Sequence, residues 1–129
     1  MRFDKLTTKF QQAFADAQSL ALANDNSFIE APHLLQAMLN DTEGGVPSLL
    51  QRAGVNLPPL KKGLEDAIKR LPQVQGTGGE TTVSRELNNL LNLTDKLATK
   101  RGDQFIASEL FLLALLEEKS DTSRLLKEC

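Results

Sequence analysis

The chain has 129 residues, enough for one domain that buries a core without disulfides or bound metal. Its 15 Lys and Arg stand against 17 Asp and Glu, a formal net charge of −2, which excludes a global basic footprint for nucleic acid. No apolar run approaches the roughly 18 residues that span a bilayer. The start, Met1-Arg2-Phe3-Asp4-Lys5, has no signal-peptide pattern, and the one cysteine is Cys129, so a soluble cytoplasmic domain is expected.

The apolar spacing is helical almost throughout. Leu6, Phe10, Ala13, Phe14, Ala17, Leu20 and Ala21 recur at intervals of three and four, which predicts a long helix capped by Asp4 or Thr7 and ended by Asn24-Asp25-Asn26. Pro32 suits the first turn of a second helix with Leu34, Leu35, Met38 and Leu39. Gly44-Gly45 breaks the chain, and Pro47 opens a short third helix that stops at Gly54. Asn56 is placed to cap a fourth, lined by Leu60, Leu64, Ala67, Ile68 and Leu71 and ended by Pro72. Residues 73–82, with three Gly and three Thr, read as a flexible connector. A second long helix follows from about Ser84 to Lys100-Arg101-Gly102, carrying Leu87, Leu90, Leu91, Leu97 and Ala98. Phe105-Ile106, a cap at Ser108, an apolar helix to Leu116 and a short helix near Ser123–Lys127 complete the chain. No window alternates with period two between hairpin turns, so no sheet is expected.

A gapless internal repeat organises these elements. A shift of 77 positions places Leu20 on Leu97, Ala21 on Ala98, Phe28 on Phe105 and Ile29 on Ile106. It also places Leu35 on Leu112, Ala37 on Ala114, Leu39 on Leu116 and Leu49 on Leu126. The expected fold is all-α, two pseudo-repeated helical units in one globular domain. The first repeat covers 1–72, the Gly/Thr-rich linker 73–82, and the second repeat 83–129, truncated before a fourth helix due near position 134. Without that helix, residues 121–129 are expected to fray.

The repeat also singles out a set of leucines. Asp16, His33 and Gln36 mark sites that tolerate water in the first unit, and the same sites hold Leu93, Leu110 and Leu113 in the second. Leu90, Leu93 and Leu97 run at helical spacing on the long helix. Two arrangements fit: packing of these leucines between the repeats, or an exposed apolar groove that binds a partner.

Catalytic chemistry finds no support. No Gly precedes Lys-Ser or Lys-Thr as a phosphate loop requires, and Gly76-Thr77-Gly78-Gly79 lacks the third glycine of a dinucleotide fingerprint. His33 is the only imidazole, too few for a metal site with Cys129, and is expected as a partly exposed polar residue. Asp41/Glu43 and Glu117/Glu118 read as solvated carboxylates at helix ends. Lys61-Lys62, Lys69-Arg70 and Lys100-Arg101 are short clusters without Trp or Tyr to stack bases.

Several strings carry a family resemblance. Met1 to Ala13, Ala17-Gln18-Ser19-Leu20-Ala21, Phe28-Ile29-Glu30-Ala31-Pro32-His33-Leu34-Leu35, Arg70 to Gly79 and Lys100 to Phe111 are similar to the N-terminal double repeat of Clp/Hsp-type AAA+ chaperones, the ClpB-type disaggregases above all. The resemblance covers essentially the whole chain. It implies a non-enzymatic, client-binding N-terminal module that captures apolar segments of misfolded or aggregated proteins. Its site would be Leu90, Leu93, Leu97, Leu110 and Leu113, with Thr7, Asp103 and Glu109 orienting the bound chain. Thr7, Asp103 and Glu109 read equally well as structural caps. The missing phosphate loop and ordinary charge balance predict a monomeric isolated domain without cofactor and without a nucleic-acid or membrane partner, and the resemblance implies that ATP and Mg belong to downstream modules of a hexameric chain. An adaptor-docking role, or a structural spacer without client affinity, is the alternative. Since such chaperones continue into ATPase modules, an excised fragment is the expectation.

Overall fold

The computed structural model describes residues 2–74 and 81–129. Helix α1 is Thr8–Ala23. Thr7, not Asp4, is its cap: the Thr7 hydroxyl accepts from the Phe10 N–H at 3.3 Å, satisfying one of the donors a helix start leaves free. Asp4 sits in a preceding 3-10 turn and pairs with Arg2. After Asn24 and a left-handed Asp25 (φ 55) come β1, Phe28–Ile29, and α2, Ala31–Asn40. Helix α3, Gly45–Arg52, ends in Gly54 at φ 90, which favours glycine. Helix α4, Leu57–Arg70, holds Pro58 and Pro59 in its first turn, where a missing N–H costs no hydrogen bond. The Asn56 side chain makes no capping bond there.

The second half repeats this order. Strand β2 is Thr82–Val83, and α5, Arg85–Arg101, starts under a Ser84 hydroxyl that accepts from Leu87 N–H at 3.1 Å. It closes on Gly102 at φ 76. Helix α6 is Ser108–Glu117, with Ala107 rather than Ser108 in the cap position, and α7 is Asp121–Glu128 under Ser120.

The expectation of no sheet is corrected. Strands β1 and β2 pair in parallel, Ile29 opposite Val83, and Leu6 forms a parallel bridge with Ile106. These two pairings are the same one, 77 residues apart. The Ser84 N–H donates to the Ile29 carbonyl at 3.1 Å, and the Thr7 N–H to the Ile106 carbonyl at 3.0 Å. The segment leading into each long helix is therefore clasped by the Phe-Ile elbow of the other unit. Two-residue strands are too short for alternation to be visible in sequence. The chain remains an all-α fold with one minimal sheet among the described residues.

Helix α1 packs on α2 and α5 on α6, while α4 lies across α2 and reaches α7. Phe10 and Phe111, both fully buried, meet edge to face at 6.3 Å and join the two units. Three further expectations change. His33 is fully buried, not partly exposed: its Nδ1 accepts from the Glu30 N–H at 2.9 Å, and its protonated Nε2 donates to Asn26 Oδ1 at 2.8 Å. Gln36 is likewise buried. Helix α7 is seated instead of loose, with Leu126 buried and the Asn56 N–H bonded to the Cys129 carbonyl at 3.1 Å. Of the expected connector 73–82, Gln73 bridges Asn26 and Val74 N–H donates to the Asp25 carbonyl. The Gly76–Gly79 motif lies outside the described residues.

Candidate functional site

Helix α6 is apolar on every side from Leu110 to Leu116, so some neighbour must cover all of it or some of it must meet water. Its counterpart α2 is covered: every residue from Pro32 to Leu39 is buried, because α4 closes the side that α1 leaves open. Among the described residues no helix lies on α6 as α4 lies on α2. Leu113 and Leu116 are consequently 42% and 45% exposed, three residues apart on one face.

The expected leucines divide into two groups. Leu90 and Leu110 belong to the core, 1% and 4% exposed, and form no surface. Leu93 and Leu97 are half-buried, packed against that core, and Leu113 is open. Leu116 was not among the sequence candidates. Its counterpart Leu39 is fully buried, so the repeat places it inside; the signal that finds it is the unbroken apolar run of α6.

The polar candidates lie elsewhere. Thr7 and Glu109 share a cleft of about 310 Å³ between the starts of α1, α3 and α6, with Lys9 and Asp41 paired at 3.5 Å. Thr7 is the cap of α1, and Glu109 is half-buried beside Gly45. Asp103 is exposed, pairs with Arg101 at 3.2 Å and does not line that cleft. Burial without an opposing charge lowers the His33 pKa from 6.5 to about 4, so the ring is neutral at pH 7 and acts as a structural connector. Among the described residues no group of three His, Cys, Asp or Glu is arranged to hold a metal ion, and no helix is long and apolar enough to cross a membrane.

The family profile of the Clp repeat (R) N-terminal domain matches residues 5–129. The chain belongs to the Clp repeat N-terminal domain family. It is 45% identical to the chaperone protein ClpB of Pseudomonas putida over 126 residues, 98% of this chain and 15% of that protein. It is 44% identical to ClpB of Vibrio cholerae over 128 residues, 99% of this chain and again 15% of the relative. The chain thus spans about 15% of the length of the curated relatives it matches. Among solved structures, the Hsp104 N-terminal domain from Candida albicans superposes with a TM-score of 0.84 at 22% identity, over 96% of this chain and 81% of that one. A ClpV N-domain solved in complex with a VipB peptide superposes at 0.78 and 22% identity, over 98% and 79%. These two likenesses concern the fold. A Clp N-terminal domain is a binding domain and not the ATPase module of its chaperone.

Proposed function

We propose that this Clp N-terminal domain captures apolar segments of unfolded or aggregated client proteins for a ClpB-type disaggregase. The observation that carries the reading is the exposure of two large leucines on α6, Leu113 and Leu116, among the described residues; Leu93 and Leu97 of the neighbouring α5, both half-buried, would extend that surface. Aliphatic side chains without directional hydrogen bonds tolerate many client sequences, which suits capture followed by transfer. On this reading Thr7 and Glu109, from the cleft at the starts of α1, α3 and α6, and the exposed Asp103 orient the bound chain.

On this reading residues 1–72 and 83–129 are the two halves of one binding module, joined by 73–82. It works in the cytoplasm as part of a longer, hexameric chain whose other modules bind ATP and Mg, and it is monomeric by itself. Titration of the isotope-labelled domain with an unfolded apolar protein tests the reading. Amide shifts along 93–97 and 113–116 are expected; shifts absent there, with client bound elsewhere, overturn that surface. Docking of a defined peptide or adaptor is the second reading, favoured by the similarly folded ClpV N-domain solved with a VipB peptide. One-to-one saturable binding of a single folded partner, without affinity for unfolded chains, would support it instead.

A further inference from the structure

We propose that the chain edge Gly102–Gln104 takes an extended segment of unfolded client polypeptide by antiparallel main-chain pairing. The proposal deepens the capture reading and rests on it for the source of the ligand. The first unit shows such an edge filled, by a segment of the chain itself. There the Val74 N–H donates to the Asp25 carbonyl at 2.8 Å, and Gln73 lies opposite Asn26 in an antiparallel bridge. Asn26 Nδ2 adds a bond to the Pro72 carbonyl at 3.2 Å.

The same edge recurs in the second unit. Asp25 and Gly102 are both left-handed, at φ 55 and 76. The Asp25 and Asn26 N–H groups donate to the Leu22 and Ala21 carbonyls, and those of Gly102 and Asp103 to Thr99 and Ala98, the same bonds 77 residues on. The backbone therefore presents the Gly102 carbonyl as it presents that of Asp25. Among the described residues neither the Gly102 carbonyl nor the Gln104 N–H has a hydrogen-bond partner, and residues 101–105 are all exposed. An added strand pairs with such groups through a main chain that every client carries. Antiparallel pairing sets one peptide residue opposite Asp103. The next N–H then donates to the Gly102 carbonyl, and the preceding carbonyl accepts from the Gln104 N–H.

The filled edge also describes the occupant. Phe28 lines a cleft of about 120 Å³ with Leu71 and Pro72, and its counterpart Phe105 is 56% exposed, so an apolar residue just before the paired one has a ring to cover. One stretch, 57–74, lies over α2 and then pairs with Asp25–Asn26. The 77-residue shift relates these two places to the open side of α6 and to the edge 102–104. A client lying on Leu113 and Leu116 thus continues onto the edge as α4 continues into Pro72–Val74. Asp103 departs from the template: its carboxylate, paired with Arg101 at 3.2 Å, has no N–H to give the peptide carbonyl that Asn26 Nδ2 would hold.

The test uses the labelled domain and two uncharged peptides of leucine, serine and threonine, identical except that one is N-methylated at every central amide. The unmethylated peptide is expected to shift the Gln104 amide and slow its exchange with solvent; the methylated one, lacking the N–H donors, should do neither. Asp103→Asn restores the donor of the template and should tighten the unmethylated peptide about two- to tenfold, the net worth of one hydrogen bond. Equal effects of both peptides at Gln104, or an Asp103→Asn variant that binds no tighter, overturn the proposal. So does a Gln104 amide protected with no peptide present, in this domain or in the full-length chaperone. Shifts at 113–116 with 102–105 silent remove the edge and leave the capture reading standing. Shifts at 102–105 from the unmethylated peptide alone, with 113–116 silent, keep the edge and remove the α6 surface.

Discussion

Helices α2 and α6 occupy equivalent places 77 residues apart, yet one is sealed and the other half open. The chemistry runs opposite to the exposure. Sealed α2 carries His33 and Gln36, whereas open α6 carries Leu110 and Leu113 at the same positions. Burying the polar pair is tolerable because His33 uses both ring nitrogens and Gln36 donates to Asn40 at 3.1 Å, although the Gln36 Oε1 is left without a partner. Exposing leucines contributes nothing to folding. Among the described residues α4 lies over α2 and no helix lies over α6 in the same way.

The largest expected effect uses the same position in both helices. Leu39→Ala should cost about 2–5 kcal/mol, because a fully buried leucine leaves a cavity in close-packed surroundings. Its counterpart Leu116→Ala should stay within about 0.5 kcal/mol. Equal losses on chemical denaturation would abolish the distinction between the two helices.

Next in size is a pH effect confined to the first unit. The folded pKa of His33 lies near 4, below its ordinary 6.5, so the unfolded chain takes up the proton first. Stability is therefore full above pH 6.5 and declines as pH falls toward 4, by about 2 kcal/mol between pH 7 and 5. His33→Leu, which copies Leu110, should be less stable at pH 7 because it strands Asn26 Oδ1 and the Glu30 N–H, yet should lose that pH slope. An unchanged slope in the variant would place the titration elsewhere.

A smaller effect probes how firmly α4 holds the second unit. A Cβ at Gly63 would come within 2.6 Å of Leu125 Cδ1, so Gly63→Ala pushes α7 away while improving the propensity of α4 by about 1 kcal/mol. The two effects should nearly cancel in overall stability. Amide exchange in 121–128 should nevertheless speed up relative to α1, and unchanged exchange would mean that Leu125 simply rotates aside.

Helix positions and the repeat were legible because they rest on local rules, as Gly54 and Gly102 ending helices at positive φ show; of the caps, Thr7 was legible, while Asn56 makes no capping bond and Ser108 was misplaced. The reciprocal clasp was not legible, since Leu6 with Ile106 and Ile29 with Val83 are contacts across the chain with no periodic trace. The site was legible only in part, and partly by a wrong premise. Taking His33 as water-tolerant pointed to Leu110, which is core; taking Gln36 likewise pointed to Leu113, which is exposed. Both polar residues are buried, and among the described residues Leu113 and Leu116 have no helix over them as α4 lies over α2, a matter of packing that no single position reveals.

The smallest expected change in stability carries the functional test. Leu113→Gln and Leu116→Gln replace exposed leucines with amides that water can solvate, so melting temperature should move little. Leu110→Gln, by contrast, forces an amide into the core and should lose roughly 1–3 kcal/mol if it stays unpaired. Client capture separates the two cases. If the open face of α6 binds, the Leu113→Gln/Leu116→Gln pair weakens retention of an unfolded protein at constant stability, while the matching Leu39→Gln change in α2 unfolds the domain before binding can be read. Retention unaffected by the pair would leave α6 an uncovered helix without a client, and the search for the capture surface would move to the clefts at the helix starts.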